Sequence, residues 1–173
     1  DDDDEEDDEE DDEEDDDEDE DDEDDEDDED DNADAEVLPP PPTVTLPAGD
    51  KQTRWNALRE LVRNDATCKA HVRPGKKIVL GVGSVDAKIM LVGEAPGAEE
   101  EIQGEPFIGP AGELLTKMIL AMGLKRAEIY IGNIMNWRPE LPTPPGEAQS
   151  GNRPPTEAEM RYCLPYLRAH ASD

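Results

Sequence analysis

Residues 88–112 read KIMLVGEAPGAEEEIQGEPFIGPAG. An apolar run, Ile89-Met90-Leu91-Val92, breaks into Gly93-Glu94-Ala95-Pro96-Gly97. Such a run fits a short strand buried on both faces, as parallel sheets require. A second glycine-proline cluster spans 104–112 and carries Phe107, the chain's single phenylalanine. Loops leaving the carboxyl ends of parallel strands are where open α/β sheets place their sites. An acid, an aromatic ring and several glycines on that loop point to a flat, charge-bearing ligand approached closely by backbone.

Working outward, 111–122 has helical periodicity. Leu114, Leu115, Met118, Ile119 and Met122 keep i, i+3, i+4 spacing, and Gly123 sits at a C-cap position. Residues 128–134 form a second buried strand candidate, so strand, helix and strand predict a right-handed βαβ unit. Upstream, 78–82 is a short strand candidate closed by Gly83-Ser84. Its Gly81-x-Gly83 pair lacks the third glycine and following helix of a dinucleotide fingerprint, and reads as a tight hairpin turn. Trp55, Leu58, Leu61 and Val62 form one stripe of a helix over 51–63. Residues 137–155, rich in Pro and Gly, predict a loop. Thr156 with Glu159 makes a capping box for a helix over 157–170. Its predicted apolar stripe is Met160, Cys163, Leu164 and Leu167, and Pro165 inside it predicts a kink or a split.

Charge divides the chain. Residues 1–31 are all Asp or Glu, and 33 of the 49 acids lie in the first 36 residues. The remaining 16 acids balance the 16 bases, so the net charge of −33 belongs to the tail and the body is neutral. Like charges with nothing apolar to bury predict a disordered tail over 1–36. Pro39–42 then predict an extended linker over 37–50, followed by the body. The tail has three readings: a solubilising spacer, a DNA mimic competing for a binding groove, or a site for a basic protein partner. No run approaches the roughly 18 apolar residues of a membrane span. Two cysteines, Cys68 and Cys163, exclude a disulfide scaffold and fit a reducing cytoplasm. Two central strands bury too little surface alone, which predicts that 51–173 is the first part of a larger domain.

Four separated blocks resemble one family in order and spacing. They are Gly93-Glu-Ala-Pro-Gly97, Gly104-x-Pro-Phe-x-Gly-Pro-Ala-Gly112, Tyr130-Ile-Gly-Asn133 and Gly151-Asn-Arg153-x-Pro155. Together with Gly81-Val-Gly83-x3-Ala87-Lys-Ile-Met90 they resemble family 4 uracil-DNA glycosylases from about Arg54 onward. The resemblance implies a three-layer α/β/α sandwich around a short parallel sheet, incomplete in this chain. It implies a monomer acting on uracil in single- or double-stranded DNA and hydrolysing the N-glycosidic bond.

It also implies roles. Glu94 falls where the family's motif acid stands near the attacking water. Gly93, Ala95, Pro96 and Gly97 surround the base, Phe107 stacks on it, and Asn133 reads its edge. Gly109, Pro110, Asn152 and Arg153 lie near the DNA. Lys76, Lys77 and Arg138 are further bases able to meet phosphates. Glu99, Glu100 and Glu101 read as a solvated face, His71 as a surface or packing residue, and His170 carries no signal.

The family's histidine motif near its C-terminus does not occur in these residues, so the fragment is expected to be weak or inactive. The family also carries a 4Fe–4S cluster on four cysteines. Cys68 and Cys163 match two of those positions, but His71 and Trp137 occupy the others. Two thiols and an imidazole make a poor cluster site, so the cluster is expected to be lost. The competing reading is a non-catalytic acidic interaction protein with a degenerate glycosylase-like body.

Overall fold

The computed structural model describes residues 37–171; the acidic segment 1–36, with the expectation of disorder placed on it, lies outside them. The elements run α1 (Lys51–Asn64), α2 (Ala66–His71), β1 (Val82–Gly83), β2 (Met90–Gly93), α3 (Ala98–Gln103), α4 (Pro110–Ala121), a 3-10 turn (Arg126–Glu128), β3 (Tyr130–Asn133) and α5 (Glu157–Ala171). Among the described residues no helix is long and apolar enough to cross a membrane.

The sheet has three strands in the order β1-β3-β2. β2 and β3 pair in parallel, with Met90 opposite Tyr130 and Gly93 opposite Asn133. Parallel neighbours need a crossover, and α4 lies in it. The expected parallel pair is therefore present, but the sheet is mixed: β1 joins antiparallel, Val82 opposite Ile131. The expected hairpin at Gly81-x-Gly83 does not form, because β1 and β2 flank β3 rather than each other. Of the expected strand 78–82 only Val82 joins the ladder, together with Gly83 beyond it. The preceding amides go elsewhere, Val79 to the Asn136 carbonyl at 2.8 Å and Leu80 to the Gly104 carbonyl at 3.3 Å.

Successive residues of a strand face opposite sides. Ile131 packs with Ile119 of α4, with Ile129 and with the partly buried Leu91 and Phe107. Tyr130, one residue earlier, faces the other way: its hydroxyl accepts from Trp55 Nε1 of α1 and meets His170 Nδ1 of α5, both at 3.1 Å. Helices thus cover both faces of the sheet, which is the layered α/β arrangement expected. The second core joins Leu58 and Val62 of α1, Cys68 of α2, Met135 and Trp137 after β3, and Tyr162, Cys163 and Tyr166 of α5. Leu38, Val44 and Leu46 of the proline-rich stretch pack against this core as well.

Asp65 organises that second core. Its backbone ends α1 and its side chain accepts from the Cys68 amide at 2.9 Å to start α2. The same carboxylate accepts from Tyr162 Oη at 2.8 Å and from Tyr166 Oη at 2.5 Å. Burial opposes its charge, but the hydrogen bonds from Tyr166, Cys68 and Tyr162 outweigh that and hold the carboxyl below its ordinary value.

The capping box of α5 forms as expected, Thr156 Oγ1 accepting from Glu159 N at 3.2 Å and Glu159 Oε1 from Thr156 N at 2.8 Å. Pro165 does not split α5, which continues to Ala171. The buried stripe of α5 is Glu159, Tyr162, Cys163 and Tyr166 rather than the one expected, since only Cys163 is shared. Tyrosine is amphipathic, and here its ring enters the core while its hydroxyl finds Asp65.

Candidate active site

The site forms where β2 and β3 end side by side. Gly93 closes β2 opposite Asn133. A Cβ placed on Gly93 would fall 2.4 Å from Asn133 Oδ1 and 2.4 Å from Phe107 Cζ. Only a hydrogen fits there, so the ring and the amide both close in over this glycine. Among the described residues nothing hydrogen-bonds the Asn133 side chain, which leaves both its donor and its acceptor available.

Phe107 adopts φ +52°, the one non-glycine positive φ among the described residues. That conformation costs about 1–2 kcal/mol for a residue with a Cβ, so the surroundings must hold it. Arg126 does so from 19 residues away. Its guanidinium donates to the Phe107 carbonyl at 2.9 Å, to the Pro106 carbonyl at 3.3 Å and to Thr116 Oγ1 at 3.1 Å. Gly112 completes the fit, because a Cβ there would lie 1.9 Å from the Phe107 carbonyl oxygen.

Glu100 ties the two glycine-rich loops together. Its carboxylate accepts from the Gly97 amide at 3.1 Å and from the Gly109 amide at 3.4 Å. Glu101 is buried and pairs with Arg138 at 2.9 Å. Of the expected solvated face only Glu99 is exposed. The short helix α3, which carries these acids, has no apolar stripe to announce it.

Arg138 in turn donates to Asn152 Oδ1 at 2.8 Å and to the Gly151 carbonyl at 2.7 Å. Its side chain is 4% exposed, so it braces the loop from within and does not meet phosphates. Arg153 is also committed, donating to Glu159 Oε1 at 2.6 Å and to the Glu140 carbonyl at 2.6 Å. Burial disfavours the charged form of Glu159, but the hydrogen bond from Arg153 and the Thr156 amide more than compensate and lower its pKa.

These elements enclose a cleft of about 370 Å3. Ala95, Gly97, Phe107, Gly109, Pro110, Asn133 and Asn152 line it, which brings together seven residues singled out from the sequence. Glu94, Gly93, Pro96 and Arg153 are not among its lining residues. Glu94 is exposed just past β2, its carbonyl accepting from the Met135 amide at 3.0 Å. Pro96 is buried beneath the loop. The sequence reading missed Arg126, Glu100 and the Glu101–Arg138 pair. Their roles depend on contacts between distant segments, and only the Glu run was visible locally.

The residues at the family's cluster positions do not fit a 4Fe–4S group. Trp137 is 1% exposed, and its ring stacks on His71 at 4.7 Å between centroids. Cys68 and Cys163 are fully buried, and burial raises both thiols, Cys163 to about 12. Among the described residues no group of three or more His, Cys, Asp or Glu could hold a metal ion. A 4Fe–4S cluster needs four soft ligands, and here two thiols share their core with an indole that stands where another ligand would be.

A ring, an amide and small-residue loops thus stand together at the ends of two parallel strands, where open α/β sheets place their sites. Residues 80–173 match the Uracil DNA glycosylase superfamily, over half of the chain, and the chain belongs to that superfamily. It is 39% identical over 110 residues to the type-4 uracil-DNA glycosylase of Pyrobaculum aerophilum, covering 64% of this chain and 50% of that protein. The type-4 uracil-DNA glycosylase of Archaeoglobus fulgidus is 41% identical over 113 residues, covering 64% and 52%. That of Thermotoga maritima is 38% identical over 110 residues, with the same coverage of 64% and 52%. The chain therefore spans about half the length of these relatives.

Proposed function

We propose that this chain supplies the base-recognition half of an enzyme that removes uracil from DNA by hydrolysing its N-glycosidic bond. The observation that carries this reading is that Phe107 and Asn133 both close in over Gly93. Uracil inside a duplex is inaccessible and must be flipped into a pocket. The Phe107 ring offers it a face to stack on. The free Asn133 amide donates to O4 and accepts from N3–H, and cytosine presents the opposite pattern at both positions.

Cleavage builds positive charge on the sugar and negative charge on the departing base. The exposed Glu94 carboxylate orients a water and favours the oxocarbenium-like sugar. Ala95 and Gly97 shape the wall beside the base, with Gly93 and Pro96 behind them in the same loop, while Gly109, Pro110 and Asn152 form the DNA side of the cleft and Arg153 holds the Asn152 loop from outside the lining. The Gly97 and Gly109 amides are held by Glu100, so their part is to fix the loops rather than to bind oxyanions. The protein works as a monomer on single- or double-stranded DNA, in the cytoplasm of a bacterial or archaeal cell. The acidic segment 1–31 is assigned to solubility on its charge alone.

The test is a strand-nicking assay on oligonucleotides with one uracil, run on the 173-residue chain and on the same chain extended to the length of its relatives. Nicking that Glu94→Ala and Asn133→Ala abolish supports the reading. Nicking indifferent to both, or binding that does not distinguish uracil from thymine, rejects it.

A further inference from the structure

A second cleft, of about 550 Å3, opens on the side of the fold formed by α1, α2 and the turn after them. Lys69, Arg73, Lys76 and Lys77 line it, with Arg59 and Arg63 of α1, and its single acidic lining residue is Glu105. Six bases against one acid is a steep bias for a body in which 16 bases balance 16 acids.

Two of the six are partly engaged. Arg63 pairs with Glu60 at 3.2 Å, and Arg59 donates to the Gly81 carbonyl at 3.0 Å while lying over the Trp55 ring. Among the described residues no acid pairs with Lys69, Arg73, Lys76 or Lys77. A fold that keeps four unneutralised cations in one concavity stores repulsion, which an incoming polyanion relieves.

The cleft is built into the same loop as the base site. The Lys77 amide donates to the Glu101 carbonyl at 2.7 Å, and Lys77 Cδ would touch a Cβ on Gly104 at 3.3 Å. Gly104 and Glu105 line this cleft, and Phe107 lies two residues further on in the other. One short segment therefore joins a basic concavity to a ring-stacking pocket.

We infer that this basic cleft is a second nucleic-acid contact, which grips the sugar-phosphate backbone of DNA flanking the nucleotide held at Phe107. The inference rests on the proposed reading of the base site for the identity of the polyanion. Phosphates spaced along a strand suit several lysines and arginines on separate elements, and they carry no demand for base edges. The cleft supplies affinity independent of sequence, while the Phe107–Asn133 site supplies selectivity.

The experiment measures binding of the full chain to a uracil-free single strand and to the same strand with one uracil, across a salt series. Each phosphate contact contributes about −0.7 to the slope of log affinity against log salt for single strands. Arg73→Ala/Lys76→Ala/Lys77→Ala is expected to make that slope shallower by about 2 on both strands and to weaken binding on the order of 10- to 100-fold at low salt. Lys117→Ala, at an exposed base of α4 outside both clefts, leaves the uracil-free slope unchanged. Circular dichroism is expected to show the triple variant folded, because no described hydrogen bond uses the three side chains.

An unchanged slope in the folded triple variant overturns the inference, as does the lack of salt-sensitive binding to uracil-free DNA by the parent chain. Poly-glutamate that binds the parent chain more tightly than uracil-free DNA at equal charge concentration, with the variant losing that binding but not the DNA binding, also overturns it in favour of an acidic protein partner. Wild-type binding that ignores uracil but loses slope in the variant keeps the cleft and rejects the base site. The two readings thus fail separately.

Discussion

The Arg126 guanidinium holds the Phe107 carbonyl at 2.9 Å and so fixes the one non-glycine residue with a positive φ among the described residues. The strain sits at the ring that the substrate base would stack on, and its support comes from outside the cleft. Arg126→Ala should leave the Pro106 and Phe107 carbonyls without these partners and release the turn. We expect a loss of about 1–3 kcal/mol in chemical denaturation. Uracil affinity should fall more than affinity for uracil-free DNA. Equal losses on both strands would mean that Arg126 serves folding alone.

Gly93→Ala forces a methyl group to within 2.4 Å of both Asn133 Oδ1 and Phe107 Cζ. Such overpacking costs about 1–3 kcal/mol, so the variant should fold with a lowered melting temperature. Uracil-dependent binding should fall at least about tenfold, because the ring and the amide must separate. Retained selectivity for uracil over thymine would remove the site from this position.

The Glu101–Arg138 pair is buried on both sides, 8% and 4% exposed. Glu101→Ala leaves a buried guanidinium unpaired and should destabilise the chain by about 3–5 kcal/mol. Replacing both residues with apolar ones of similar size should cost much less. A thermal-unfolding cycle over the two single variants and the double variant measures the difference.

Acid sensitivity should begin with His170. Trp55 Nε1 can only donate, so the Tyr130 hydroxyl keeps its own proton free to offer to a neutral His170 at Nδ1, 3.1 Å away. Burial, with a smaller contribution from Arg59, depresses the His170 pKa to about 4. The unfolded chain takes up a proton near pH 6.5 and the folded one does not. Stability is therefore full above about pH 6.5 and declines as pH falls toward 4. The depressed carboxyls of Asp65 and Glu159 add their loss lower still, as each is protonated. His170→Gln should flatten the melting-temperature profile between pH 6.5 and 4.5; a profile with the parent's slope there would refute the assignment.

Four thiols should restore what two cannot. The parent chain, reconstituted with iron and sulfide without oxygen, should show no cluster absorbance. His71→Cys/Trp137→Cys empties the indole volume and completes the thiolate set, and should gain visible absorbance and bound iron. Iron at cluster stoichiometry in the parent would contradict the packing of Trp137 against His71.

Much of the fold was legible because its signals are local. The runs at β2 and β3, the periodicity of α4 and the Thr156–Glu159 box each sit within a few residues. The cleft was legible in its lining, since glycines, Phe107 and Asn133 are each unusual where they occur. What supports that lining was not. Arg126 looks like any exposed arginine until the Phe107 turn arrives from 19 residues away. Glu100 and Glu101 look like part of an acidic surface until two glycine amides and Arg138 close around them. The α5 stripe was misread because tyrosines count as half-polar, and only Asp65, about 100 residues earlier, makes burying them favourable. Pro165 does not split α5, which runs on to Ala171 with its buried tyrosines packed on the second core.

The Asp65 hub has a consequence for how this chain comes into being. Its carboxylate closes α1 and opens α2, yet two of its hydrogen bonds reach forward 97 and 101 residues. During synthesis at about 5–20 residues per second, that carboxylate is exposed for several seconds before either tyrosine exists. The first helices therefore wait for the last one. A chain interrupted before α5 should present the bare apolar side of α1, Leu58 and Val62, to whatever surrounds it, and quality control would meet that surface first.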